Sequence, residues 1–303
     1  MNGFTAHDVP DQRGKCFIVT GANTGIGFEI ARALAGKGAR VLIGCRDAGR
    51  AADAIARIGA PANGGDVSHL PLDLADLSSI RAAAVSAARE PRIDGLINNA
   101  GIMFPPLSHT QDGFELQFGV NHLGPFALTA LMLPVLEQTP GARVVITSSL
   151  AHKGGDIAWD DLGAARSYSR SQRYSDSKLA NLLHLYELDR RLRASGSKIS
   201  AIGCHPGIAA TDLGRHAGPF RVLFAPVGLI FNSAAQGAWP ALQAATDSAA
   251  VAGGYYGPTR FWEAAGPAGP AARSKAASDP ALASRLWDVS ADMTGIAPGL
   301  PPA

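Results

Sequence analysis

Cysteine, charge and long apolar runs are all scarce in this chain, and each scarcity narrows what it can do. Only 17% of its 303 residues are charged, and the formal net charge is +2. Lysine and arginine are scattered, so no basic run offers a nucleic-acid surface. The three cysteines, Cys16, Cys45 and Cys204, lack metal-ligand spacing and fall in apolar, strand-like stretches. They are expected as buried free thiols in a reducing compartment. No His/Cys/Asp/Glu cluster suggests a metal. Residues 1–13 are polar, include Pro10, and read as an N-terminal extension with neither a signal-peptide core nor a membrane anchor. The longest lipophilic stretch, Val222 to Phe231, is interrupted by Pro226 and Gly228. It is far shorter than the about 20 apolar residues of a bilayer span. A cytoplasmic protein without nucleic-acid partners is the expectation.

What is present is apolar material, 47% of the chain, enough for a sizeable core. Apolar runs alternate with longer amphipathic segments. Strands are predicted at Cys16–Thr20, Arg40–Cys45, Val67–Leu72, Leu96–Asn99, Arg143–Ser148 and Lys198–His205. Helices are predicted after Gly27, from about Asp47, over Leu77–Arg89, Phe114–Leu136 and Tyr174–Arg193. Such alternation implies right-handed βαβ crossovers and a parallel sheet covered on both faces, an α/β fold of Rossmann type. No linker divides the chain. A single domain is expected over residues 14–265, and the tail at 266–303 is either an ordered edge or a loose terminus.

The first strand runs into Thr20-Gly21-Ala22-Asn23-Thr24-Gly25-Ile26-Gly27 and then a helix. Glycines there let the backbone turn tightly and approach a pyrophosphate at the helix N-terminus, although a plain tight turn has the same composition. The spacing is not that of GxGxxG. Tyr174 and Lys178 lie one helical turn apart. A phenol has a reference pKa near ~10, too high for a base at neutral pH, and a neighbouring ammonium is expected to lower it.

The glycine turn resembles the TGxxxGIG fingerprint of the short-chain dehydrogenase/reductase family. Asn98-Asn99-Ala100-Gly101 is similar to its NNAG motif, and Tyr174-Ser175-Asp176-Ser177-Lys178 to its YxxxK motif. Asn121, Ser149 and Pro206-Gly207 also fall at the family's functional positions, and the likeness covers roughly Lys15 to Tyr256. The resemblance implies one Rossmann-type domain, a nicotinamide cofactor, and an alcohol or carbonyl substrate. It implies cofactor contacts at Gly21, Asn23, Thr24, Gly25, Ile26, Gly27, Asp73, Leu74, Asn99, Ala100, Gly101, Tyr174, Lys178, Pro206, Gly207 and Thr211. It implies Tyr174 as acid/base and Lys178 as its partner and ribose ligand. Ser149 would donate to the substrate oxygen, with adjacent Ser148 a competitor, since strand alternation lets only one face the site. Asn121 would hold a water in a relay to Lys178, or mend a helix kink beside Gly124-Pro125, or both. A homo-oligomer paired through the two long helices is a further implication.

The second strand ends Gly44-Cys45-Arg46-Asp47, with no carboxylate at the strand end. Arg46 would pair with a 2′-phosphate, so NADP(H) is expected over NAD. Arg46 could equally be a solvated surface arginine, and Asp47 could pair with it. Asp73 could serve as a helix N-cap, a role open to Asp76. His205 and His122 read as packing residues. The segment from Ala151 to Arg173, with Trp159-Asp160-Asp161-Leu162 and Tyr168-Ser169, is longer than usual and resembles the retinol-dehydrogenase-like branch. After Pro206-Gly207 a lid is expected at about 208–232, with Phe220, Val222, Leu223, Phe224, Val227, Leu229, Ile230 and Phe231 favouring lipophilic substrates. The rival function is a non-catalytic NADP-binding sensor or scaffold, a fate that would usually remove the tyrosine or the lysine.

Overall fold

In the computed structural model, residues 3–61, 63–208 and 232–302 are described. Eight strands form one sheet in the order β3-β2-β1-β4-β5-β6-β7-β8. They are β1 (Cys16–Thr20), β2 (Arg40–Cys45), β3 (Asp66–Pro71), β4 (Gly95–Asn98), β5 (Arg143–Thr147), β6 (Ser200–Cys204), β7 (Tyr255–Arg260) and β8 (Ala265–Pro270). All neighbours pair in parallel except β7 with β8. The central strands are apolar throughout because helices cover both faces, and every residue of β1 and β4 is buried.

One face carries α1 (Gly25–Gly36), α2 (Ala48–Ile58) and α8 (Trp239–Thr246), packed through Ile30, Leu34, Ala54 and Leu242. The short α7 (Ala234–Gly237) precedes α8. The other face carries α3 (Leu77–Ala87), α5 (Gly124–Leu136), α6 (Arg170–Ala194) and α9 (Pro280–Thr294), packed through Ile80, Leu128, Leu182 and Trp287. The chain leaves β1 toward β2 and enters β4 on β1's other side. That reversal opens a crevice at the carboxyl ends of the strands.

The helix predicted over Phe114–Leu136 is broken. It comprises α4 (Leu116–Phe118), a π turn at Gly119–Leu123, and α5. Pro125 has no N–H to continue the α ladder, and the Gly124 N–H reaches back to the Gly119 carbonyl. By length and composition Leu116–Leu136 could cross a membrane, yet 83% of its apolar window is buried in this fold.

The C-terminal residues form an ordered edge. β8 pairs with β7 and also with Phe4, whose N–H donates to the Ala268 carbonyl at 2.8 Å. The extension before β1 is thereby stitched to the sheet's far end. α9 then lies on α5 and α6. Its Trp287 ring meets Phe126 edge-on at 5.3 Å, and the Arg191 guanidinium stacks over it at 4.7 Å. α9 thus covers one side of the two long helices. The three cysteines are free and buried, and burial pushes the Cys16 and Cys204 thiols up to about 12, which makes them unreactive.

Candidate active site

The β1–α1 turn depends on glycine at two places. Gly21 has φ +68°, and a Cβ at Gly27 would stand 2.5 Å from the Gly21 carbonyl oxygen and 2.6 Å from Asn99 Nδ2. Close approach of the turn to the end of β4 is what excludes a side chain. Thr20 ties the two strand ends together. Its buried hydroxyl accepts from the Asn99 and Ala100 N–H groups at 3.0 Å each, and its carbonyl accepts from Asn99 Nδ2 at 3.0 Å. The N-terminus of α1 therefore opens beside the NNAG segment, leaving its orphan N–H groups directed at the crevice.

That crevice is a cleft of about 510 Å³. Of the residues expected in the site, Gly21, Asn23, Thr24, Gly25, Ile26, Gly27, Arg46, Asp73, Leu74, Asn99, Ala100, Gly101, Tyr174, Lys178 and Pro206 line it. Ser149, Asn121 and Gly207 do not form its wall but adjoin residues that do. Thr211 and the apolar lid residues lie outside the described residues.

At the inner end, Tyr174 and Lys178 project from the first turns of α6. Lys178 Nζ lies 5.6 Å from the Tyr174 ring centroid. The two serines divide their work. Ser148 lines the cleft, but its hydroxyl is spent on the Lys178 carbonyl at 2.7 Å. The Ser149 hydroxyl accepts from the Ala151 N–H at 3.2 Å and lies near enough to the Tyr174 phenol to draw its pKa down. Asn121 sits in the π turn and is fully buried. Its Oδ1 accepts from the Ile102 N–H at 2.8 Å, and its Nδ2 donates to the Ile102 carbonyl and to Ser177 Oγ at 3.0 and 2.9 Å. Ser177 in turn donates to the Tyr174 carbonyl at 2.8 Å. Asn121 thus fastens the kinked helix to both the NNAG segment and the tyrosine helix. A Cβ on Gly101 would lie 3.2 Å from Asn121 Oδ1 and 3.3 Å from Lys178 Nζ, so these three groups converge.

The electrostatics differ from the expectation that Lys178 lowers the phenol's pKa. Burial pushes the Tyr174 phenol up, and the nearby Ser149 hydroxyl opposes it. Burial also pushes the Lys178 ammonium down, to about 8. Desolvation is the largest cause of both shifts.

At the outer end, the Arg46 side chain is 73% exposed and 3.9 Å from Asp73 Oδ2. Asp47 forms no ion pair with it and lies instead 3.9 Å from Arg50 Nε. That carboxylate caps α2, accepting from the Arg50 N–H at 2.9 Å. Asp76 caps α3, leaving Asp73 to face the cleft and bond the Ala75 N–H. Arg50, in the first turn of α2, also lines this rim, and nothing in its spacing singles it out in the sequence. Thr20 and Ser177 escaped it too. Both lie inside the recognised motifs, but their bonds are visible only when the strand ends and helices are assembled.

His205 and His122 are buried, as expected of packing residues. His205 Nδ1 accepts from the Gly207 N–H at 3.2 Å, and His122 Nε2 meets Ser290 Oγ at 2.8 Å. Among the described residues no group of His, Cys, Asp and Glu could hold a metal ion.

A glycine-rich turn at a helix N-terminus, an acidic residue on the rim and a buried lysine at the far end fit an elongated dinucleotide. Comparison with known proteins agrees. The family model described as short chain dehydrogenase matches residues 15–221. Mouse retinol dehydrogenase 12 is 42% identical over 287 residues, covering 93% of this chain and 87% of its own. Human retinol dehydrogenase 13 is 42% identical over 293 residues, covering 93% and 85%. The crystal structure of an uncharacterized protein from Mycobacterium paratuberculosis superposes with a TM-score of 0.82 at 39% identity, covering 98% of this chain and 99% of that one. The Pseudomonas aeruginosa RhlG/NADP complex superposes at 0.64 with 27% identity, covering 80% and 94%. With sequence, sheet order and cleft in agreement, the chain belongs to the short-chain dehydrogenase/reductase family and is an oxidoreductase that acts on alcohol and carbonyl groups with a nicotinamide cofactor.

Proposed function

We propose that this protein is an NADP(H)-dependent carbonyl reductase or alcohol dehydrogenase for lipophilic substrates, with Tyr174 as its acid/base. The observation that carries the reading is one cleft with the Tyr174 phenol and the Lys178 ammonium at one end and an exposed arginine at the other. The nicotinamide, when bound, supplies or accepts the hydride. Tyr174 supplies the proton to the carbonyl oxygen as it becomes a hydroxyl, or takes it from the alcohol in the reverse direction. Its raised pKa keeps the phenol protonated at neutral pH, the form that reduction needs. Ser149 donates to the same oxygen as charge develops there. Lys178 holds the cofactor's ribose and a proton behind Tyr174. Asn121 keeps the π turn against Gly101 and the tyrosine helix, and so fixes where Lys178 ends.

Arg46 would pair with a 2′-phosphate, with Arg50 adding a second positive charge at that rim. The superposed RhlG structure is a complex with NADP, which supports this choice. Lipophilic substrates are favoured by the names of the relatives, which are retinol dehydrogenases, and by the apolar sequence at 220–231. The presence of both Tyr174 and Lys178 speaks against a non-catalytic sensor. Turnover of a ketone, aldehyde and alcohol panel with NADPH or NADP tests the reading. No turnover of any member, with tight cofactor binding, would favour the sensor.

A further inference from the structure

Phe104 occupies a conformation its side chain disfavours. Its φ is +60°, in the left-handed region, and it is not a glycine. Such backbone persists where surrounding bonds over-determine it, and it clusters at functional sites. The bonds here are explicit. The Phe104 N–H donates to Oε1 of Gln117, a fully buried side chain on α4, at 3.0 Å. Gln117 Nε2 donates to the Arg170 carbonyl at 3.0 Å and to the Tyr168 hydroxyl at 3.3 Å. The Tyr168 hydroxyl donates to the Pro105 carbonyl at 2.8 Å. Tyr168 belongs to the long segment between β5 and α6. That segment is itself anchored by buried Arg173, which bonds the Asp161 carbonyl at 2.7 Å and its carboxylate at 3.1 Å.

The consequence is at the reacting end of the cleft. Ile102, Met103 and Pro105 line the cleft, and the half-buried Phe104 ring stands edge-on to the Tyr174 ring, 5.5 Å between centroids and 77° between planes. Phe104 itself stands behind the lining, between Met103 and Pro105, and its ring touches the tyrosine that a substrate oxygen would meet. Resting on the function proposed above, we propose that Phe104 is the apolar wall that selects substrates by the bulk and lipophilicity of that substituent. Tyr168 and Gln117 are the positioning residues that hold it there. The extended segment is then a buttress for the specificity wall, a role not evident from its sequence.

The test measures binding, so that it stands apart from turnover. The dissociation constant of 1-decanol is measured by calorimetry with saturating NADP, in a Tyr174→Phe background that suppresses turnover. Phe104→Gly removes the ring and suits the left-handed backbone, so the fold and NADP affinity should hold while decanol binding weakens by about tenfold. Phe104→Leu should restore most of the affinity, and Tyr168→Phe, which deletes only the clamp's hydroxyl, should weaken it in the same direction but less. Unchanged decanol affinity in Phe104→Gly would overturn the proposal. So would absence of decanol binding with Phe104 intact, or an equal loss of NADP affinity, which would make the ring a general brace. Failure of the proposed function itself would show separately, as no turnover of the substrate panel by the wild type.

Discussion

Lys178 holds its ammonium 5.6 Å from the Tyr174 ring centroid, and both side chains are buried. Burial holds the lysine's pKa at about 8, below the usual 10.5. Between those two values the unfolded chain binds more protons than the folded one, so stability rises with pH through that window. The penalty is fully present below about 8 and gone above 10.5. Lys178→Met removes it. That variant should be more stable than wild type near neutral pH, by at most about 3 kcal/mol, and the advantage should vanish at high pH. Thermal denaturation across pH checks this. A gap that does not change with pH would mean that burial is not what perturbs Lys178.

Arg46→Ala should weaken NADP binding roughly ten- to hundredfold, the worth of a charge-assisted bond to phosphate. NAD, which lacks the 2′-phosphate, should bind almost as before. Titration of both cofactors decides. Equal loss for both would make Arg46 structural, and wild type that binds NAD more tightly would refute the NADP preference.

Gly27→Ala would place a methyl 2.5 Å from the Gly21 carbonyl oxygen and 2.6 Å from Asn99 Nδ2. Both belong to segments fixed by the Thr20 bonds, so the turn must open. A loss of about 1–3 kcal/mol is expected, as for overpacking elsewhere, together with weakened cofactor binding. Chemical denaturation and cofactor titration measure the two effects. Wild-type values for both would show that the turn has slack.

Much of this is legible in the sequence for physical reasons. The central strands have to be apolar along their whole length, so β1 and β2 are read to the residue. The glycine turn and the Tyr174/Lys178 spacing follow from backbone sterics and helix periodicity. What escapes depends on assembly. The break at Gly119–Leu123 is set by Pro125 and by bonds that Asn121 makes with a residue 19 positions away. β7 and β8 contain Gly257, Pro258, Gly266 and Pro267, residues depleted in strands, and pair as the sheet's last strands. The balance of pKa shifts between Tyr174 and Lys178 is hidden for a similar reason, because burial is not written in local spacing.

α9 also has no counterpart among the helices predicted from the sequence, and its importance can be measured. Trp287 contacts Phe126, His184 and Arg191 across the face of α5 and α6. Trp287→Ala should cost about 3–5 kcal/mol in denaturant unfolding, as for other buried aromatics. A cost near zero would mean that α9 is only loosely attached.

The central claim is that Tyr174 exchanges the proton with the substrate oxygen. Tyr174→Phe keeps the ring, its contact with Phe104 and the cleft, and removes only the hydroxyl. Steady-state turnover of a carbonyl substrate, measured beside the NADPH dissociation constant, tests the claim most directly. The expected result is a fall in kcat of about 10²–10⁴-fold with cofactor affinity preserved. Near-wild-type kcat in the phenylalanine variant would contradict it.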